Sequence, residues 1–183
     1  MYYKEKYCYT EDLFVIAVGV VMQKLKLKGL EKNLVGIAVR TNNKMEMDHQ
    51  TAKIGPLVQK YWEEGIFNKI SKRKSPGVTY CAYTNYENDF NGDYTFFIGE
   101  EVIDFSDLKD SLTPLIVPEQ TYVRFTNGPG PIPNVSVEIW QKVWQMTSNE
   151  LGGDRSYAVD FEVYDERSHD LTAATLDLYI GVE

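Results

Sequence analysis

The sequence predicts an α+β protein in which a β-α-β-β unit occurs twice around a pseudo-twofold axis. Residues 83–89 and 92–99 read as strand, acidic turn and strand, and residues 160–166 and 175–181 repeat this order. Both copies end in aromatic–Ile–Gly, and each follows a helical pattern that contains tryptophan. Such a repeat predicts an antiparallel sheet with two main helices on one side. Because concave sites with aromatic and charged walls bind ligands, we also expect a central ligand cleft between the halves.

Composition indicates a folded domain that does not contact nucleic acid directly. The chain has 183 residues, of which 43% are hydrophobic and 13% aromatic, ample for a packed core. Its net charge of -8 disfavours nucleic acid and anionic membranes, whose phosphates would repel it. Cys8 and Cys81 provide no disulfide framework, which favours a reducing, cytoplasmic location. No phosphate-binding glycine loop or zinc-ligand spacing occurs, so we expect no cofactor and no metal.

The first 21 residues are expected to precede a single domain at residues 22–183. Within them, residues 13–21 form an apolar run that is far short of the roughly 20 residues needed to cross a bilayer. Glu11 and Asp12 stand directly before this run and no small-residue cleavage pattern follows, which is untypical of a secretion signal. Residues 1–21 are therefore predicted to form an N-terminal extension or an extra strand.

The first half of the duplication is predicted at about residues 24–103. A run rich in β-branched residues at 33–40 indicates its first strand. A helix is expected near residues 51–70, weakened or ended by Gly65, because apolar side chains share one face: Ile54, Leu57, Val58, Tyr61 and Trp62. Two strands joined by a polar turn complete this half at about 77–85 and 93–102.

The second half is predicted at about residues 118–183, after a linker at 104–117 that is rich in charge and contains proline. Asn134 is expected to be the N-cap of its helix, which should continue to about Glu150, where Gly152 and Gly153 follow. Ile139, Trp140, Val143 and Trp144 share a face of that helix. The predicted strands of this half lie at about 119–126, 157–164 and 175–182.

Three motifs together resemble the GyrI-like small-molecule-binding domain, the effector-binding module of AraC-type and MerR-type multidrug regulators. They are the segment from Gly77 to Val102, the Gly128–Pro131 loop before a Trp-x-x-x-Trp helix, and the run from Asp160 to Asp165. The resemblance extends over about residues 24–183 and includes stand-alone members from integron gene cassettes. It implies two β-α-β-β halves around a ligand cleft. Since the first 20 or so residues are too few for a helix-turn-helix, it also implies that any DNA contact would need a separate transcriptional regulator.

Glu162 is the residue to which the resemblance gives most weight. Side chains alternate along a strand, so Asp160, Glu162 and Tyr164 face one way while Phe161 and Val163 face the other. Taken alone, this pattern is satisfied if the apolar pair is in the core and Glu162 is in water. The resemblance instead implies a carboxylate that attracts small lipophilic, cationic ligands, with aromatic walls that add cation–π attraction.

Aromatic candidates for the walls of the cleft come from both halves. Tyr83 lies in the repeated motif, and the tryptophans stand on the apolar stripes of the two helices, a position that is also typical of core residues. The full set of candidates is Tyr83, Trp62, Trp140, Trp144, Tyr122 and Tyr179.

Two other functions remain open at this level. Glu162 with a tyrosine hydroxyl could act as general base in a hydrolase of small electrophilic compounds, as in some members of the resembled family. Alternatively, the acidic surface could inhibit a DNA-binding enzyme by charge mimicry. The prediction favoured here is a non-catalytic, stand-alone protein that binds amphipathic, cationic organic molecules or drugs.

Overall fold

The computed structural model describes residues 22–183, which form one eight-stranded antiparallel sheet with helices packed on one face. The predicted fold class is confirmed, while the predicted N-terminal extension lies outside the described residues. The strands are β1 Gln23–Gly29, β2 Lys32–Thr41, β3 Thr79–Thr84, β4 Tyr94–Val102, β5 Thr113–Val117, β6 Gln120–Gly130, β7 Val159–Tyr164 and β8 Ala174–Val182. The helices are α1 Asn43–Glu46, α2 Ile54–Glu63, α3 Asn134–Gln145 and α4 Ser148–Leu151, with 3-10 turns at Ile66–Lys69 and Glu166–Ser168.

The strand order has the symmetry that the duplication predicts. It runs β1-β6-β8-β7-β3-β4-β2-β5, and exchanging the two halves gives the same order in reverse. The centre of this pattern lies between β3 and β7, where Ala82 pairs with Phe161. On either side of that pair, Cys81 is opposite Glu162 and Tyr83 is opposite Asp160. Tyr83 and Glu162 therefore occupy equivalent positions about the pseudo-twofold axis.

Each half begins with one more strand than the repeat predicted. β1 pairs with β6 of the second half, and β5 pairs with β2 of the first half, so the halves exchange strands. β5 lies inside the segment expected to be a linker, and it carries Pro114. A proline is compatible with a strand at the edge of a sheet, where β5 lies. The proline that helped to indicate a linker is therefore compatible with this edge strand, while the charged residues of the segment lie before it, at positions 104–110.

Both main helices are shorter than predicted. α2 ends at Glu63, because Gly65 adopts the left-handed conformation with φ of 57° and a 3-10 turn follows. α3 ends at Gln145, where Met146 is extended. Thr147 then starts the separate helix α4 with a capping box, in which its hydroxyl and the Glu150 carboxylate satisfy each other's backbone N–H groups.

The sheet is buried on both faces. On the helix-covered face, α2 packs Tyr61 against β2 and β4, and α3 packs Ile139 and Val143 against β6 and β8. The opposite face, here called the inner face, has its own buried cluster: Leu34, Tyr80, Ala82, Phe97, Val117, Tyr122, Val159 and Phe161.

Short connections between distant strands explain the buried inner face. β1 is one edge of the sheet and β2 adjoins the other, yet only residues 30 and 31 join them. The same holds for β5 and β6, which residues 118 and 119 connect. Since two residues span only about 7–10 Å, the sheet must curl until its ends approach each other. The inner face is therefore the concave side of a rolled sheet.

Candidate ligand-binding site

Glu162 lies in β7 at the centre of the sheet and points to the helix-covered face. Only 2% of its surface is exposed, and Phe161 on the opposite side of the strand is equally buried. The alternative in which Glu162 faces water is therefore wrong, because the rolled sheet covers one side of β7 and α3 covers the other. A carboxylate in such a position is costly unless it is well hydrogen-bonded.

Three uncharged donors hold the Glu162 carboxylate. Its Oε1 accepts hydrogen bonds from Ser136 Oγ at 2.5 Å and from Trp140 Nε1 at 2.8 Å. Its Oε2 accepts one from the Tyr164 hydroxyl at 2.9 Å. Ser136 and Trp140 are four residues apart in α3, so one face of the helix supplies both contacts. The negative charge is thus solvated by dipoles, and none of these three partners carries a positive charge.

Burial dominates the titration behaviour of this group. It raises the pKa of the Glu162 carboxyl, and the hydrogen bonds from Ser136, Tyr164 and Trp140 oppose that rise. Burial and the neighbouring carboxylate also raise the pKa of the Tyr83 and Tyr164 hydroxyls well above the usual range. The tyrosines therefore stay neutral and act as donors.

An aromatic cluster adjoins the carboxylate. The Tyr83 ring lies 4.6 Å from Trp140 in an edge-to-face arrangement, measured between ring centroids. The Trp144 ring is 6.2 Å from Trp140 and stacks on Phe90 at 5.9 Å. Tyr83, Trp140 and Trp144 are thus brought together with Glu162, as a binding wall would require.

The other three aromatic candidates lie elsewhere. Trp62 is 52% exposed on α2, where it contacts Tyr61 and Phe67. Tyr122 and Tyr179 belong to the inner face, where both contact Phe161. Phe161 and Glu162 are consecutive residues of β7, so their side chains point to opposite faces of the sheet. Tyr122 and Tyr179, which contact Phe161, therefore lie on the other side of the sheet from Glu162.

Sequence reasoning missed two of the groups that bind the carboxylate. Tyr164 has the same strand parity as Glu162, so alternation alone could have indicated it. Ser136 could have been found from its position four residues before Trp140 in the same helix. Neither signal was decisive, because many side chains share such spacings without touching a common group.

A second buried charge lies beside this cluster. Arg155 forms an ion pair with Asp160, which has no exposed surface and also accepts hydrogen bonds from the Tyr86 hydroxyl and the Gly181 N–H, both at 2.9 Å. The Arg155 guanidinium lies 4.3 Å from the Tyr157 ring centroid and 5.9 Å from those of Tyr86 and Trp140. Trp140 therefore borders both a buried anion and a buried cation, which shows that this aromatic environment accommodates positive charge.

The raised pKa of Glu162 predicts a pH-dependent effect of Glu162→Gln on stability. Because the folded-state pKa lies above the unfolded one, the folded state binds the proton more tightly, and wild type loses stability as pH rises through that interval. The amide cannot ionise and keeps a similar shape. The melting temperature of the variant relative to wild type should therefore rise from about pH 4 to about pH 8. Near neutral pH we expect a gain of roughly 2–4 °C, which corresponds to about 1 kcal/mol in a domain of this size.

Glu166→Gln is the matched control for this thermal measurement. Glu166 is an exposed carboxylate in the turn after β7, so its replacement changes the net charge equally without altering a buried group. A pH-independent difference between Glu162→Gln and wild type would show that the carboxyl titrates alike in the folded and unfolded states.

The fold is a duplicated unit with helices on one face of a curled sheet, and it buries a carboxylate beside aromatic rings. These features together define a small-molecule effector-binding domain. The chain belongs to the family of integron-associated effector binding proteins, whose sequence model matches residues 30–182. This match confirms the predicted resemblance to stand-alone, cassette-encoded members of the GyrI-like group.

Individual proteins agree with this assignment. The integron cassette protein VCH_CASS2, from the mobile metagenome of Vibrio cholerae, has a similar structure, with a TM-score of 0.69, 25% identity and coverage of 98% of this chain and 100% of that one. YobU of Bacillus subtilis (strain 168), named as a candidate transcriptional regulator, is 28% identical over 156 residues, which cover 83% of this chain and 92% of YobU. SAV2435, solved in complex with tetraphenylphosphonium, shares the fold with a TM-score of 0.67 and 16% identity over 91% of this chain and 94% of its own.

None of the helices in residues 22–183 is long and apolar enough to cross a bilayer. The His, Cys, Asp and Glu side chains of the same residues form no group of three that could hold a metal ion.

Proposed function

We propose that this protein binds small lipophilic cations at Glu162, with Tyr83, Trp140 and Trp144 as aromatic walls. The observation that carries the proposal is a fully buried carboxylate whose hydrogen-bond partners are all neutral. A cation that reaches this group would gain a charge–charge interaction in a desolvated setting. The adjacent rings would add cation–π attraction of roughly 0.5–2 kcal/mol each. Neither contribution demands one particular ligand shape, so specificity is expected to be broad.

A ligand that reaches Glu162 must displace at least one of the three donors that seal it. Two of them, Ser136 and Trp140, project from α3, and the third is the Tyr164 hydroxyl. A shift of α3 relative to the sheet would open the carboxylate and change the surroundings of the Trp140 ring. Membership of a family of effector-binding proteins favours binding over hydrolysis.

Tetraphenylphosphonium is the first probe, because it is a lipophilic cation and the fold relative SAV2435 was solved with it. Its binding should be measured by tryptophan fluorescence against triphenylphosphine oxide, a neutral molecule of related shape. We expect the full chain to prefer the cation by at least about tenfold, which corresponds to about 1.4 kcal/mol. Glu162→Gln should remove this preference while leaving the affinity for the neutral compound nearly unchanged.

Glu166→Gln again serves as the control, since it removes one surface charge from the same segment of chain. If it weakens cation binding as much as Glu162→Gln does, attraction is due to the overall charge of -8 and not to the buried site. Equal affinity of wild type and Glu162→Gln for tetraphenylphosphonium would refute the proposal.

We further propose that the ligand-bound domain acts through a separate transcriptional regulator that supplies the DNA contact. The family is one of effector-binding proteins, and YobU carries the name of a candidate transcriptional regulator, which supports such a role. Charge mimicry of DNA is the weaker alternative, because it would not need a buried carboxylate with aromatic walls.

A further inference from the structure

A cavity of about 220 Å³ lies on the inner face of the sheet, on the opposite side of β7 from Glu162. Leu25 and Leu27 of β1 form one of its walls. The aromatic residues of its lining are Tyr80, Tyr122, Phe161 and Tyr179. It arises because the rolled sheet brings β1 over the central strands without filling the space between them.

The aromatic surface in this cavity is rigid and pre-formed. Phe161 and Tyr179 stack with ring centroids 4.6 Å apart and planes 9° from parallel. Tyr122 meets Phe161 edge-to-face at 5.3 Å, and Tyr80 lies 6.0 Å from Phe161. Tyr80 and Tyr122 are also fixed by hydrogen bonds, to the Glu101 carboxylate at 3.0 Å and to the Pro118 carbonyl at 3.2 Å. Such walls offer flat apolar contact without further loss of side-chain freedom.

The charge at this cavity is opposite to that at Glu162. Three cations line it, Lys32, Lys74 and Arg124, against the single carboxylate of Glu31. Glu101 offsets part of this charge through Lys32 at 3.3 Å and Lys74 at 2.9 Å. Among residues 22–183, three cations of the lining thus face the two carboxylates of Glu31 and Glu101, in a chain of net charge -8.

Arg124 is the cation best placed to hold an anion. It faces Tyr179 across the β6–β8 pair. Its Nε is buried without a hydrogen-bond partner among residues 22–183, although another part of its guanidinium hydrogen-bonds the Tyr179 hydroxyl. None of the ion pairs within those residues involves Arg124. A buried donor without an acceptor is unfavourable, so a ligand that supplies an anionic acceptor there would be stabilised.

We propose that the inner face carries a second ligand site for a small aromatic anion, a carboxylate or sulfonate of one or two rings. The ring would lie against Phe161, Tyr122 and Tyr179, and the anionic group would bind Arg124. The size follows from the cavity, which is smaller than the roughly 300–1,000 Å³ of sites for drug-sized ligands. This site is independent of the cation site, because neighbouring residues of β7 point to opposite faces.

The test is an NMR titration of the isotope-labelled full chain with 2-naphthoate, compared with its neutral analogue 2-naphthamide. We expect a dissociation constant of about 1 mM or tighter for the anion, as suits a ligand of this size. Amide shifts should gather in β1, β6 and β8, and naphthamide should bind at least about fivefold more weakly.

Three variants sharpen this experiment. Arg124→Gln should weaken naphthoate binding by about tenfold, and Leu27→Trp should abolish it by filling the cavity. Lys60→Gln, which removes an exposed charge from α2 on the other face, should leave binding unchanged. Each variant must first show the wild-type pattern of dispersed amide signals. Absence of binding in the full chain, equal affinity for naphthoate and naphthamide, or shifts centred on α3 at the helix-covered face would overturn the proposal.

Discussion

Replacing Asp160 by Asn is expected to destabilise the protein by about 3–5 kcal/mol, the range for breaking a buried ion pair from one side. Asp160 is fully buried, and it is the ion-pair partner of Arg155, whose side chain is only 8% exposed. Two further nitrogens of Arg155, Nε and Nη1, are buried without hydrogen-bond partners among residues 22–183. The amide would leave the guanidinium charge in place and uncompensated. Urea denaturation followed by circular dichroism would measure the loss.

A double-mutant cycle separates this charge effect from a packing effect. Arg155→Met removes the cation while keeping an apolar stem for Tyr157 and Trp140 to contact. If the ion pair dominates, Asp160→Asn should cost less in the Arg155→Met background than in wild type. Additive losses in the double variant, or a cost below about 1 kcal/mol for Asp160→Asn, would show that the pair is not the source of stability.

Replacing Gly99 by Ala is expected to cost about 3 kcal/mol or more, because the sheet leaves no space for a side chain there. Gly99 pairs with Gly36 across β2 and β4. An added Cβ would lie 2.2 Å from the Val35 carbonyl oxygen and 2.8 Å from the Gly36 Cα. Both neighbours are backbone atoms, so only a shift of the strands could relieve the contact. This close approach gives a physical reason for the glycine that ends the first aromatic–Ile–Gly motif.

Two other glycines provide graded controls for the same denaturation experiment. At Gly181, in the second copy of the motif, an added Cβ would meet the side-chain ends of Gln120 and Ser156, which can move. At Gly55, in the exposed first turn of α2, it would meet nothing within 4 Å. We therefore expect a smaller loss for Gly181→Ala, and a gain of about 0.5–1 kcal/mol for Gly55→Ala. A Gly99→Ala variant as stable as wild type would mean that β2 and β4 separate readily.

Glu162 connects stability and binding in one residue. Glu162→Gln should stabilise the protein near neutral pH, since it removes a charge that burial disfavours. The same substitution should remove the preference for a cation. A substitution that raises the melting temperature while abolishing cation selectivity would identify a carboxylate kept for function at the expense of stability.

Local sequence patterns predicted the duplicated unit and most elements of the sheet. These elements could be predicted because strands, polar turns and helix-ending glycines depend on the conformational preferences of neighbouring residues. Such preferences are visible in a short stretch of sequence. The repeat did not predict β1 and β5, because each of these strands forms by pairing with a strand that lies far away in the sequence or in the other half. Pro114 resembles a linker residue, and only the position of β5 at the edge of the sheet makes it compatible with a strand.

The sequence by itself determined which residues share a face, and the tertiary structure decided what covers that face. Alternation in β7 correctly placed Glu162 opposite Phe161, but it could not show that the rolled sheet and α3 bury both. Trp62 and Trp140 have the same kind of position on an apolar helical stripe, yet Trp62 is half-exposed and Trp140 binds the carboxylate. Periodicity is a local property, whereas burial and contact depend on segments far apart in the chain. The surroundings of Glu162 therefore follow from the strand order and the position of α3, which no local pattern contains.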